Sequence, residues 1–149
     1  MDSPGLPVII RSERASRTEE REGTMRIAVT SMDKSLDSPV SKRFGRSNYI
    51  FVADTETRVV RIVDNSAYAA MGLGGGPKTA EVLSRLGVQW VATGEIGWET
   101  FQELVGSGIR VVTRSTGACR EILDRLEAGD LTPALCPTDP KGTSVPSTE

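Results

Sequence analysis

Five short apolar runs, three of them before residue 64 and the last two separated by a segment of helical period, restrict this chain to an α/β layer architecture. The runs are Arg26-Ile-Ala-Val-Thr30, Tyr49-Ile-Phe-Val-Ala53, Val59-Val-Arg-Ile-Val63, Gln89-Trp-Val-Ala-Thr93 and Ile109-Arg-Val-Val-Thr113. Each is too short for a helix and is bounded by turn-forming residues, so each reads as a strand. Thr79, Val82, Leu83 and Leu86 recur at helical spacing and close on Gly87, with Pro77 where a first turn tolerates a missing N–H. Trp98, Phe101, Leu104 and Val105 mark a second helix ending near Gly106, and Cys119, Ile122, Leu123 and Leu126 a third ending at Gly129. Asp54-Thr-Glu-Thr-Arg58 suits a hairpin, which gives the order βββαβαβα with three helices.

Connection rules then arrange the sheet. With the second strand antiparallel to the first and third, right-handed crossovers lay the fourth strand beside the first and the fifth beyond it, in the order 3-2-1-4-5. Ligands of such sheets bind outside the carboxyl ends of the parallel strands. Four glycine- and polar-rich loops, at 31–47, 65–76, 94–97 and 114–117, all leave the sheet at that rim. A row of backbone amides and arginines suits an anionic ligand better than it suits a nucleophile, so the chain reads as a binding protein and not as an enzyme.

With 149 residues, 38% hydrophobic and 26% charged, the chain has material for one core. A formal charge of -2 gives no global attraction to nucleic acid or anionic lipid, so an anion site must be local. Two cysteines and no histidine supply neither a disulfide framework nor a four-ligand metal site, which excludes hydrolytic zinc chemistry. Leu6 to Ile10 is too short for the apolar region of a signal peptide, and no stretch spans a membrane, so a cytoplasmic protein without membrane or nucleic-acid partners is expected. Residues 1–24 are expected to form a disordered tail, with translation starting at either Met1 or Met25; the folded domain is expected over 25–131, and the proline-rich 132–149 as a flexible tail.

The rim loops also carry a resemblance. Met25-Arg-Ile-Ala-Val-Thr30, Leu36-Asp-Ser-Pro-Val-Ser41, Arg43-Phe-Gly-Arg46, an aromatic strand ending in Asp54, Gly74-Gly-Gly76, Thr93-Gly-Glu-Ile-Gly97 and Gly108-Ile-Arg-Val111 stand in order. Together they resemble the dinitrogenase iron-molybdenum cofactor biosynthesis family, which includes NifX-like carriers, NafY-like proteins and the C-terminal domain of NifB. The resemblance covers about Met25 to Leu131. It implies a ribonuclease-H-like three-layer fold with a NifX-like cofactor-binding domain, a role as an accessory in nitrogen fixation, an iron-sulfur or iron-molybdenum cofactor precursor as ligand, and other cofactor-assembly proteins as partners.

The residues themselves leave several readings open. Arg43-Phe44-Gly45-Arg46 either presents two guanidinium forks and a flexible backbone to an anion, or folds back on the sheet with Phe44 as a plug. Gly74, Gly75 and Gly76 either expose successive amides at a positive helix end or form a flexible loop. Gly94 and Gly97 either admit a ligand to the backbone or serve tight turning alone. Cys119 stands at a helix N-terminus, where a thiolate ligand for a metal is favoured, yet it falls in phase with Ile122, Leu123 and Leu126 as a core residue would. Cys136 reads as an exposed thiol, and Met32 and Met71 as rim thioethers.

Two near-matches fail on chemistry. Gly72-Leu-Gly-Gly-Gly-Pro-Lys78-Thr79 approaches the phosphate-loop pattern, but Pro77 replaces its second glycine and removes an amide N–H that such a loop needs. The first strand carries no carboxylate for a two-metal nuclease. Two classes remain: a carrier or accessory protein for an iron-sulfur or iron-molybdenum cofactor precursor, and a non-metal module of regulation or interaction that binds a small anion or nucleotide on the same rim.

Overall fold

The computed structural model of the chain describes residues 25–72 and 74–138, so the expectations for residues 1–24 and 139–149 lie outside the described residues. Strands β1 (Arg26–Ser31), β2 (Tyr49–Asp54), β3 (Val60–Asp64), β4 (Trp90–Ala92) and β5 (Arg110–Val112) form one mixed sheet in the order β3-β2-β1-β4-β5. The central β1 runs antiparallel to β2 and parallel to β4, which brings Val29 opposite both Phe51 and Ala92. β3 is antiparallel to β2, and β5 is parallel to β4. This is the topology that the connection rules require for a hairpin followed by helical crossovers.

Among the described residues four α-helices accompany the sheet: α1 (Ser66–Ala69), α2 (Gly75–Arg85), α3 (Trp98–Gly106) and α4 (Cys119–Ala128). The additional one, α1, is a single turn with no apolar repeat to reveal it. It is started by Asp64, whose carboxylate accepts the Ser66 hydroxyl at 2.6 Å and the Ser66 N–H at 3.0 Å. Those two bonds, hydroxyl first, hold the Asp64 pKa below the ordinary carboxylate value.

Strand alternation divides the core between the two faces of the sheet. Ile27, Val29, Phe51, Ala92 and Val112 pack with Cys119, Ile122, Leu123 and Leu126 of α4 on one face. Ala28, Ile50, Val52, Val91 and Val111 pack with Ala80 and Leu83 of α2 and with Phe101 and Leu104 of α3 on the other. The result is a helix–sheet–helix sandwich of three layers. Beyond α4 the chain turns at Gly129, in the left-handed region with φ of 77°, and continues along β5. There the Ala134 N–H donates to the Val111 carbonyl at 2.7 Å, so residues that read as loose from their prolines lie against the edge strand.

Candidate functional site

The long loop between β1 and β2 does not hang free above the carboxyl ends of the strands; it crosses them. The Ser41 N–H donates to the Thr30 carbonyl at 2.9 Å and the Val40 N–H to the Gly117 carbonyl at 3.0 Å. Further along, the Gly94 N–H donates to Ser41 at 3.1 Å, the Glu95 N–H to Lys42 at 2.7 Å, and the Phe44 N–H to Glu95 at 2.9 Å. The loop is thus a brace that ties together the turns following β1, β4 and β5.

That brace explains Gly94. A β-carbon there would lie 2.7 Å from the Lys42 carbonyl carbon and 2.8 Å from the Ser41 oxygen, so only glycine lets the two backbones cross. Its amide is already spent on Ser41. Gly97 differs: it caps α3 with φ of -80°, and a β-carbon would meet nothing within 4 Å.

Residues 44–46 form one 3-10 turn. Phe44 is 1% exposed and fills the core face shared with α2 and α3, while Arg43 and Arg46 on either side remain exposed. The plug and the presented guanidiniums are therefore compatible. Gly45 lies over Gly76, where an added β-carbon would stand 3.6 Å from both its N and Cα. Gly75 and Gly76 belong to the first turn of α2, and Gly74 is its N-cap, with φ of 96°. A β-carbon on Gly75 would strike the Tyr68 carbonyl oxygen, and one on Gly76 would press on the Thr100 side chain, so these glycines let α2 pack closely against α1 and α3. The structure accordingly brings Arg43, Phe44, Gly45, Arg46 and Gly74–Gly76 together, with Gly94 and Gly97 reached through Glu95.

A buried polar network sets this arrangement, and no sequence pattern announces it. Asn65, 2% exposed, donates through Nδ2 to the Ser47 carbonyl at 2.9 Å and to the Thr79 hydroxyl at 3.0 Å. Thr79 in turn reaches the Gly75 carbonyl at 2.9 Å, and Ser47 joins its hydroxyl to that of Ser41 at 2.9 Å. Asn65 therefore links the arginine-bearing turn to the start of α2.

The charges on the rim are mixed. Arg43 pairs with Glu95 at 3.1 Å, with both side chains more than half exposed, so the pair is weak and an anion would compete with Glu95. Arg46 has no ion pair among the described residues. Lys42, Lys78 and Arg114 are further exposed cations on the rim loops or in the first turn of α2. Arg114 adopts φ of 58°, held there by its N–H to the Gly94 carbonyl at 2.7 Å.

Cys119 lies apart from this cluster, on the opposite face of the sheet and fully buried. Burial pushes its thiol pKa up, against smaller opposing effects of the Ser31 hydroxyl and the Cys119 backbone. The thiolate that a metal would need is therefore disfavoured despite the helix N-terminus. Cys136 is exposed, as are Met32 and Met71 on the rim. Among the described residues no group of three or more His, Cys, Asp or Glu side chains could hold a metal ion. The rim offers exposed guanidiniums and ammonium groups, but α2 does not present successive free amides there: the Gly75 N–H donates to the Gly72 carbonyl at 3.1 Å, Pro77 has no N–H, and Gly76 is buried against Gly45.

The family model described as dinitrogenase iron-molybdenum cofactor matches residues 25–129 of the chain. Among solved structures, the chain is similar to the apo form of the orange protein from Desulfovibrio gigas, at 34% identity over 76% of this chain and 96% of that one, with a TM-score of 0.73. It is also similar to a candidate NifB protein from Thermotoga, at 33% identity over 73% of this chain and 92% of that one, with a TM-score of 0.63. A candidate dinitrogenase from Methanocaldococcus jannaschii shares the fold at 15% identity, over 76% and 98% of the two chains, with a TM-score of 0.56. No curated protein matches the chain.

Proposed function

The chain belongs to the dinitrogenase iron-molybdenum cofactor family, and from that premise we propose that it is a non-catalytic carrier or accessory protein for an iron-sulfur or iron-molybdenum cofactor precursor. The cargo sits on the rim at the carboxyl ends of β1, β4 and β5, held by Arg43 and Arg46 beside the start of α2, where Gly74–Gly76 act by letting the turn and the helix pack closely. The observation that carries the reading is the seating of Gly45 on Gly76, which sets two exposed arginines beside the positive end of a helix. Such a site suits a cluster that arrives with its own ligand shell and is bound as an anion. Gly94 serves this site by letting the brace cross, and Gly97 keeps the cap of α3 open. Cys119 acts as core and not as a ligand.

The likeness to the orange protein, whose structure is that of an apo form, supports a fold that stands without a bound group. The scarcity of soft side-chain donors on the rim favours a second reading, in which the same cations bind a small organic anion or a nucleotide without metal. Anaerobic incubation with a preformed, thiolate-ligated anionic iron-sulfur cluster separates the two. A coloured protein that retains iron through desalting is expected; colourless protein that binds a nucleotide instead would replace the first reading with the second.

A further inference from the structure

The segment 131–138 ends on a contact that the family resemblance does not call for. The Thr138 hydroxyl accepts the Ile96 N–H at 2.8 Å and donates to the Ile96 carbonyl at 3.1 Å, across 42 residues of sequence. Ile96 is 3% exposed, and these are the only hydrogen bonds of its backbone among the described residues. A buried amide and carbonyl left without partners would each carry a desolvation cost, so Thr138 supplies what a neighbouring strand would otherwise give. On one side of Ile96 stands Glu95, which pairs with Arg43 and donates its N–H to Lys42; on the other stands Gly97, the cap of α3. One threonine thereby fixes the residue that joins the brace to the helix.

The rest of the segment is anchored lightly. Leu131 and Ala134 pack against the core and Ala134 bonds to Val111, whereas Leu135 is 95% exposed and Cys136 is also exposed. Few buried contacts mean a low free energy of local opening. We propose that residues 131–138 form a clasp on the rim loop Gly94–Gly97, and that Thr138 is a positioning residue for the binding site; this rests on reading that rim as the site. With the clasp closed, Glu95 and the start of α3 keep a fixed relation to the Arg43–Arg46 turn. With it open, the Ile96 backbone turns to water and the join between Glu95 and α3 loosens, while the bonds of Gly94 and Glu95 to the brace remain.

Thr138→Val in the full chain keeps the shape and removes the hydroxyl, while Thr138→Ser keeps the hydroxyl. Two readouts are needed: amide hydrogen exchange at Ile96, with Val29 as an internal reference, and iron retained after anaerobic loading with the same preformed cluster. Losing the Thr138 bonds should speed exchange at Ile96 about tenfold in Thr138→Val, reduce retained iron by a similar factor, and leave Thr138→Ser close to the parent on both. Unchanged exchange in Thr138→Val overturns the clasp. Faster exchange with undiminished iron overturns the positioning role. Parent protein that takes up no iron removes the cofactor reading, and the positioning role with it, while exchange alone still decides whether the clasp exists.

Discussion

At the scale of single residues, two neighbouring glycines test how far chemistry and packing can be told apart on this rim. A methyl group on Gly94 would collide with backbone atoms of Ser41 and Lys42, which cannot swing aside. Gly94→Ala should therefore cost about 1 to 3 kcal/mol in chemical denaturation, in the range of overpacked sites. Gly97 has open space and an ordinary φ, so Gly97→Ala should cost less, up to about 1 kcal/mol for the poorer helix cap, and iron retention beyond that loss reports on the rim. The thiols give a second contrast. Because burial raises the Cys119 pKa, the native state keeps the proton that the unfolded chain would release; the resulting stability is present below the ordinary thiol pKa and is lost as pH rises through the raised one. At pH 8 a thiol reagent should modify the exposed Cys136 at once and Cys119 only on unfolding, and rapid native modification of both would refute the buried assignment. The core position of Cys119 was legible in its phase with Ile122, Leu123 and Leu126. The Arg43–Glu95 pair was not, since it joins loops 52 residues apart and no local period links them.

At the scale of elements, the Arg43–Arg46 turn and the first turn of α2 behave as one unit because Asn65 joins them from beneath. Replacing Asn65 by Ala would leave the buried Ser47 carbonyl without its side-chain donor and the Thr79 hydroxyl with the Gly75 carbonyl as its one remaining partner, at a cost of about 1 to 3 kcal/mol, measurable by denaturant unfolding. Arg43→Ala with Arg46→Ala should behave in the opposite way. Both side chains are exposed and the Glu95 pair is weakly coupled, so the melting temperature should hardly move while retained iron falls several-fold. Unchanged retention would move the cargo off this turn. Helices α2, α3 and α4 were legible because each repeats its apolar residues every three or four positions. The single turn α1 and the bracing path of 38–44 were not, because a loop that pairs its backbone with other loops leaves no period in its side chains.

For the whole molecule, the strand order followed from connection rules, which depend only on element types and their sequence. The C-terminal limit has no such rule behind it. Pro133 and Pro137 suggest a loose tail from about residue 132, yet the described contacts run on to Thr138, because single hydrogen bonds from Ala134 and Thr138 need no periodic pattern. A truncation series locates the limit physically. Protein spanning residues 25–138 should unfold in one transition close to that of the full chain, since every described core contact is kept. Protein spanning 25–131 loses the Ala134 bond to Val111, the apolar contact of Ala134, and both Thr138 bonds to the buried Ile96. That loss should cost about 1 to 3 kcal/mol, enough to lower the melting temperature of a domain this size by several degrees. Equal melting temperatures for the two would mean that the segment adds nothing to the fold, and that the Ile96 backbone finds its partners in water.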